Sequence, residues 1–300
     1  MLHSNMLSRR RLLAAVLASG ALPAYSQSRP RVVATFSILG NMVSEVAGDC
    51  IDLVVLVGPD TDAHTYQPRP GDARMLAAAR AMVSNGLGFE GWIDRLAKAA
   101  PFGGLAIVAT AGVPTLEATA GRARGPDPHC WQDVTRARRY VGNIAEGLVS
   151  SDAANATFYR ERAAAYDRRL IELDRWVRGE IAKVPADKRK AITSHTAFRY
   201  FAEAYGVQIE AAQGYKTDSE PSAWNVAQLI RLVRQQNIKA LFIENMTNPV
   251  LIDEVARESG GVVGPRLYSD ALSAPGGPAA TYEAMMRHNV TALVAGMLKN

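Results

Sequence analysis

A chain of 300 residues with 48% apolar and 21% charged side chains can build one large or two ordinary domains and is not a disordered polyelectrolyte. Its formal net charge is +5, but Arg9, Arg10 and Arg11 lie in the first 26 residues, which hold no acid; without them the charge is +2 (5 − 3), and no basic stripe is left to bind nucleic acid. After residue 26 no apolar run reaches the roughly 18 residues of a membrane helix.

Residues 1–26, MLHSNMLSRRRLLAAVLASGALPAYS, join a basic cluster to an apolar stretch and end on Ala24-Tyr25-Ser26, a small-x-small cleavage signal. The run Ser8-Arg9-Arg10-Arg11-Leu12-Leu13 resembles a twin-arginine export signal with Leu where Phe is common, and the general secretory route is the alternative. Either route exports the chain. No Cys stands at the cleavage position, so the expected mature protein is soluble in the periplasm and carries no lipid anchor. Export permits a disulfide, yet Cys50 and Cys130 are read as two separate thiols.

The mature chain then alternates strand and helix patterns. RVVATFSI (31–38) reads as a buried strand and LGNMVSEVAGD as a helix, followed by the strand IDLVVLV (51–57) and the short helix GDARMLAAA. AMVSNGL (81–87) is a strand, GWIDRLAKAA a helix stopped by Pro101, and LAIVATA (105–111) a strand. Apolar β-branched runs joined by helices predict a parallel sheet. LEATAGRARGPD (116–127) reads as a flexible insertion. From Asp152 to about Lys183 one long helix is predicted, with Tyr159, Tyr166, Leu170, Leu173, Val177 and Ile181 on one face. Alternation resumes with the strand KAITS (190–194), the helix AFRYFAEAYG, the strand VQIEAA and the helix SAWNVAQLIRLVRQQN. The strand KALFIE (239–244), the helix NPVLIDEVARESG, the strand GVVGPRLYS and a terminal helix complete the chain. The predicted fold is α/β: two lobes, each a parallel-type sheet flanked by helices, joined by one long rigid helix. The expected divisions are a signal over 1–26, an N-terminal lobe over 27–150, the linking helix over 151–184 and a C-terminal lobe over 185–300.

Of the five histidines, His3 leaves with the signal and His288 sits in the terminal helix as a packed or solvated residue. The other three fall after strands: His64 beyond the second, His129 beyond the fourth by way of the insertion, and His195 at the end of the first strand of the second half. Open parallel sheets bind ligands beyond the carboxyl ends of their strands, and neutral imidazole is the commonest metal ligand. Three imidazoles need a fourth donor or a water. Asp270, right after the last predicted strand, is the chosen carboxylate, with Glu244, also at a strand end, its rival. Tyr66, Trp131 and Phe198 stand beside these residues as packing, and Gly86 and Gly88 shape a turn at the cleft. Cys130 is not read as a nucleophile, because adjacent residues on an extended chain point apart.

The stretches DAHTYQPRPGD, NGLGFEGWIDRL, DPHCWQDV, TSHTAF, FIENMTNP and LYSDALS resemble the metal-binding receptors of ABC transporters for zinc and manganese, in order and over nearly the whole mature chain. The resemblance implies two α/β lobes joined by a rigid helix, one metal ion between them, and ligand positions that match His64, His129, His195 and Asp270. It also implies a membrane permease as partner, a monomer, and no catalysis. Zinc-specific members often carry a His-rich acidic loop before the second ligand; here LEATAGRARGPDP has no His and two Arg, so a metal-collecting loop is not expected. Manganese-type sites of the family often have Glu at the third position, where this chain has His195. Three imidazoles and a carboxylate suit tetrahedral zinc, which is favoured over manganese; an Asp270 that binds through both oxygens would admit manganese or iron. The rival functions are an exported zinc-dependent hydrolase, against which the absence of HExxH counts, and a metal-independent adhesin.

Overall fold

Residues Arg31–Phe36 form the inner strand β1, whose five last side chains are all buried, as expected of a strand covered on both faces. In the computed structural model, which describes residues 29–120, 123–214, 217 and 222–300, it pairs in parallel with β2 (Asp52–Val57) and β3 (Ala81–Ser84). β4 (Leu105–Val108) completes a parallel sheet in the order β2-β1-β3-β4. Helices α1 (Ser37–Ala47), α2 (Pro70–Ala77) and α3 (Ile93–Ala99) connect these strands. The export signal over 1–26 lies outside the described residues.

The second sheet repeats the design. β7 (Lys190–His195) is flanked by β8 (Gln208–Gln213) and β9 (Ala240–Leu241), and β10 (Val262–Val263) closes the order β10-β9-β7-β8, again parallel. Its helices are α6 (Arg199–Tyr205), α7 (Ala223–Gln235), α8 (Val250–Ser259) and α9 (Tyr282–Met297). α6 ends on Gly206 at φ 67°, the left-handed stop that a glycine makes easily. The expected two-lobed α/β architecture is thus the observed one.

The long helix is α5 (Ala156–Ala182), about 40 Å at 1.5 Å per residue. Tyr159, Ala163, Tyr166, Leu170, Leu173, Val177 and Ile181 form its buried stripe, spaced by three and four residues. It starts four residues later than expected, because a 3₁₀ turn at Ala153–Asn155 precedes it. It packs on α1, α9 and α4 (Val134–Ser151), and one apolar core runs from β1 through these helices into α9 and the second sheet.

Four readings are corrected. Ser37 and Ile38 belong to α1 rather than to the first strand. Residues 116–127 contain an antiparallel hairpin, β5 (Glu117–Ala120) with β6 (Ala123–Pro126), in place of an irregular insertion. The strands expected over 239–244 and GVVGPRLYS shrink to β9 and β10 and meet again only at the bridge between Glu244 and Leu267. The fourth is α4, a helix of 18 residues where the sequence pattern predicts none. Gly142 and Gly147 weaken its pattern, and Gly147 is explained by packing: a Cβ there would lie 2.5 Å from Ile107 Cδ1.

Leu173 is fully buried in the middle of α5. Leu173→Ala should lower stability by about 2–5 kcal/mol, read as a shift in the midpoint of chemical denaturation.

Candidate metal centre

Each predicted site residue is delivered by a different element. His64 lies on the long connection between β2 and α2. There the Asp62 carboxylate accepts the His64 backbone N–H at 2.8 Å, and the Trp92 indole donates to Ala63 O at 2.8 Å. His129 immediately precedes a 3₁₀ turn over Cys130–Gln132. His195 is the last residue of β7, and Asp270 follows the bridge at Leu267.

The structure brings all four together. The Nε2 atoms of His64 and His129 are 3.2 Å apart, and Asp270 Oδ2 lies 3.3 Å from His64 Nε2 and 3.1 Å from His195 Nε2. Asp270 Oδ1 is 3.7 Å from His129 Nε2. One ligand atom from each residue falls within 4.8 Å of the others, and among the described residues this is the one such group. His129, His195 and Asp270 are fully buried, and the His64 side chain is 5% exposed. Neither oxygen of Asp270 nor His195 Nε2 has a hydrogen-bond partner of good geometry. His288 stands elsewhere, its Nε2 against Arg266 O.

Behind the imidazoles stand two further carboxylates. His129 Nδ1 lies 2.8 Å from Asp127 Oδ1, and His195 Nδ1 lies 2.5 Å from Glu244 Oε2. Glu244 Oε1 also accepts the His195 backbone N–H at 2.9 Å. Glu244, the rival for the fourth position, therefore sits on the far side of His195 and turns its Nε2 toward Asp270. Asp127 was not singled out from the sequence. A usable signal was present: Asp62-Ala63-His64 and Asp127-Pro128-His129 each place an Asp two residues before a His, and in both it accepts the His backbone N–H.

Aromatic rings enclose the cluster. Phe89 meets the His64 ring at 4.5 Å between centroids, and Trp131 meets His129 at 5.3 Å. Phe89 is carried by a turn in which Gly86, Leu87 and Gly88 all have positive φ (83°, 56° and 76°). The buried Glu90 carboxylate organises this turn, accepting from Thr35 Oγ1 and from the backbone N–H of Asn85 and Gly86. Gly86 is required twice over, since a Cβ there would lie 2.7 Å from Val108 Cγ1.

Burial and charge compete at the site. Burial acts to raise the Asp270 carboxyl, but the His195 and His129 imidazoles outweigh it and hold it well below the usual range. Burial acts to lower the His195 imidazole, yet the carboxylates of Glu244 and Asp270 overcome it and hold it well above the ordinary histidine value. Burial prevails at His64, aided by His129 and His195 against Asp270, and lowers its imidazole. The arrangement is a buried, pre-aimed set of three nitrogens and a carboxylate, of the donor type that suits a tetrahedral transition-metal ion.

Known proteins share this arrangement of sequence and fold. Residues 32–296 match the family profile of the periplasmic zinc-uptake complex component A, ZnuA. The manganese-binding lipoprotein MntA of Halalkalibacterium halodurans is 31% identical over 268 residues, covering 89% of this chain and 88% of that protein. The zinc-binding protein TroA of Treponema pallidum is 29% identical over 306 residues, covering 97% and 99%. The solved structure of the Treponema periplasmic zinc-binding protein TroA superposes with a TM-score of 0.85 at 30% identity, over 90% of this chain and 99% of that one. With the profile spanning residues 32–296 of 300, the chain belongs to the family of ZnuA, the periplasmic zinc-uptake complex component A.

Proposed function

We propose that this protein captures one divalent transition-metal ion between its two lobes, in the periplasm, and hands it to the membrane permease of an ABC transporter. The ion is bound by Nε2 of His64, His129 and His195 and by the carboxylate of Asp270. The observation that carries this reading is the convergence within 4.8 Å of four ligand atoms, three of them on buried residues, with the Asp270 carboxylate faced by imidazole nitrogens alone. A buried anion is costly unless a cation meets it. Asp127 and Glu244 orient His129 and His195, as carboxylates behind metal-bound imidazoles do, and Glu244 makes His195 more basic.

Zinc is the favoured ion and manganese the second, and the relatives named above divide between the two. The N₃O set suits zinc, while a bidentate Asp270 would raise the coordination number toward what manganese prefers. The protein performs no chemistry on its cargo. A hydrolytic zinc needs an open position beside a general base, and Glu244, the acid nearest His195, is engaged with it through both oxygens. No helix among the described residues is long and apolar enough to cross a membrane. The expectation of an unlipidated chain rests on the lack of a Cys at the cleavage site, and a relative named as a lipoprotein lends it no support. In the same reading the protein acts as a monomer, with lobes over 27–150 and 185–300 linked through 151–184.

Metal analysis and calorimetry with zinc and manganese should give one ion per chain. His195→Ala should weaken binding by about 100-fold or more, whereas His288→Ala, at a residue outside the cluster, should stay within about twofold; equal effects would undo the assignment. Glu244→Gln should weaken binding by about 10–100-fold and move the His195 titration, followed by NMR in the metal-free protein, to lower pH. Because Glu244 and Asp270 keep a proton on His195 above the ordinary histidine range, metal entry must expel it. Affinity should therefore fall as pH falls, the decline beginning above about 6.5; an affinity flat between about pH 8 and about pH 5 would exclude the three-histidine site.

A further inference from the structure

His64 is the least buried member of the cluster and rides on the longest connection of the N-terminal lobe, between β2 and α2. It faces Asp270 and His195, which the C-terminal lobe supplies. Two carboxylates on the same connection, neither of them a ligand, reach across to that lobe. Asp60 accepts from Asn245 Nδ2 at 2.8 Å and from the Ala274 N–H at 3.3 Å, and its own N–H donates to Leu272 O at 3.0 Å. Asn245 adjoins Glu244, the partner of His195, and its Nδ2 also donates to Ala271 O, next to Asp270. Asp60 therefore touches the segments that carry Glu244 and Asp270. Asp62 holds the His64 backbone N–H and the Thr65 hydroxyl, and its Oδ2 accepts the Thr217 hydroxyl at 2.6 Å.

We propose that Asp60 and Asp62 are positioning residues that latch the His64 connection onto the C-terminal lobe and thereby set the rate of metal exchange. This rests on the metal-capture reading above. Asp60 is held at φ 51°, a conformation unfavourable to a residue with a Cβ, which fits a residue placed for its carboxylate rather than for its backbone. On the N-terminal side the connection keeps its own anchors, Trp92 Nε1 on Ala63 O and Tyr66 OH on Asp72. With the cross-lobe bonds broken, His64 withdraws from Asp270 while its own lobe stays folded. The other three ligands lie on a strand end and on segments tied by Trp131 and Gln132 to Ser269 O, and they stay in place.

The test is chelator-driven metal dissociation followed by stopped flow, on the full mature chain loaded with zinc, with Co²⁺ loading as a spectroscopic report on the ligand set. Asp60→Gly removes the carboxylate at a backbone conformation glycine adopts freely, and Thr217→Val removes the hydroxyl while nearly keeping its shape. Each should speed release about tenfold or more, as expected from losing a charge-assisted hydrogen bond present only in the latched state. The cobalt spectrum should stay unchanged, and Thr217→Ser should restore slow release. Release within twofold of the parent in both variants would overturn the latch, as would a cobalt spectrum altered from the parent's. A parent protein that takes up no metal would instead refute the capture reading itself, so the two failures are distinguishable.

Discussion

Everything at the site follows from one constraint: a fully buried carboxylate, Asp270, is faced by three imidazole nitrogens. Burial alone would protonate such a group. Here the imidazoles outweigh burial and keep it ionised, while Glu244 and Asp270 together keep His195 charged. In the metal-free protein a proton on His195 thus supplies part of the positive charge that a divalent ion would bring. Two carboxylates behind the imidazoles fix which nitrogen faces inward, so the donors are aimed before any ion arrives. Little reorganisation is left for the binding step, and the remaining barrier is access.

Such pre-aiming demands a frame that does not drift, and the packing provides it. α5 lies along α1, α4 and α9, and the apolar core is continuous through them. Polar contacts pin the site segments to each other as well. Trp131 Nε1 and Gln132 Nε2 both donate to Ser269 O, Tyr282 OH donates to Trp131 O, and Asn289 on α9 brackets the backbone of Tyr268 with both its donor and its acceptor. Asp270 is held between the His129 turn and α9 by these bonds. Large hinge opening would break this buried set together with the shared core. Motion confined to the His64 connection breaks a few hydrogen bonds that water can replace.

Much of this was legible in the sequence because parallel sheets and strand-end sites leave local marks. RVVATF and KAITSH are β-branched runs, and Tyr159 through Ile181 keep helical spacing, so both lobes and the long helix could be read from pattern. The imidazoles could be grouped because three of them follow strands. What stayed hidden depended on partners distant in sequence. Gly147 argues against a helix until Ile107 is seen to occupy the space of its Cβ. Glu244 and Asp270 have the same local character, an acid after an apolar run, and only the fold sets one on the inner and the other on the outer face of His195. The hairpin over 117–126 lacks alternating apolar residues, its strands Glu117–Ala120 and Ala123–Pro126 reading as polar and small. Asp60 carries no local signal of its role; its bonds reach residues 245 and 274, which no local rule connects to it.

The geometry also bears on which ion the site prefers. Zinc outcompetes manganese at most nitrogen-containing sites, so affinity order does not by itself define the physiological cargo. Selectivity against zinc would require a frame that resists contraction to a tetrahedron and offers an extra oxygen. Asp270 has that oxygen: Oδ1 and Oδ2 both face imidazole nitrogens, at 3.7 Å from His129 and 3.1 Å from His195. A carboxylate placed in this way can bind through one atom or two. The packing holds His129, His195 and the Asp270 backbone, so under the proposed ligand set the coordination number would turn on two adjustable elements, the rotation of the Asp270 carboxylate and the approach of His64. On the proposed reading, the connection that carries His64 would set both access to the ion and how closely that imidazole can draw in around it.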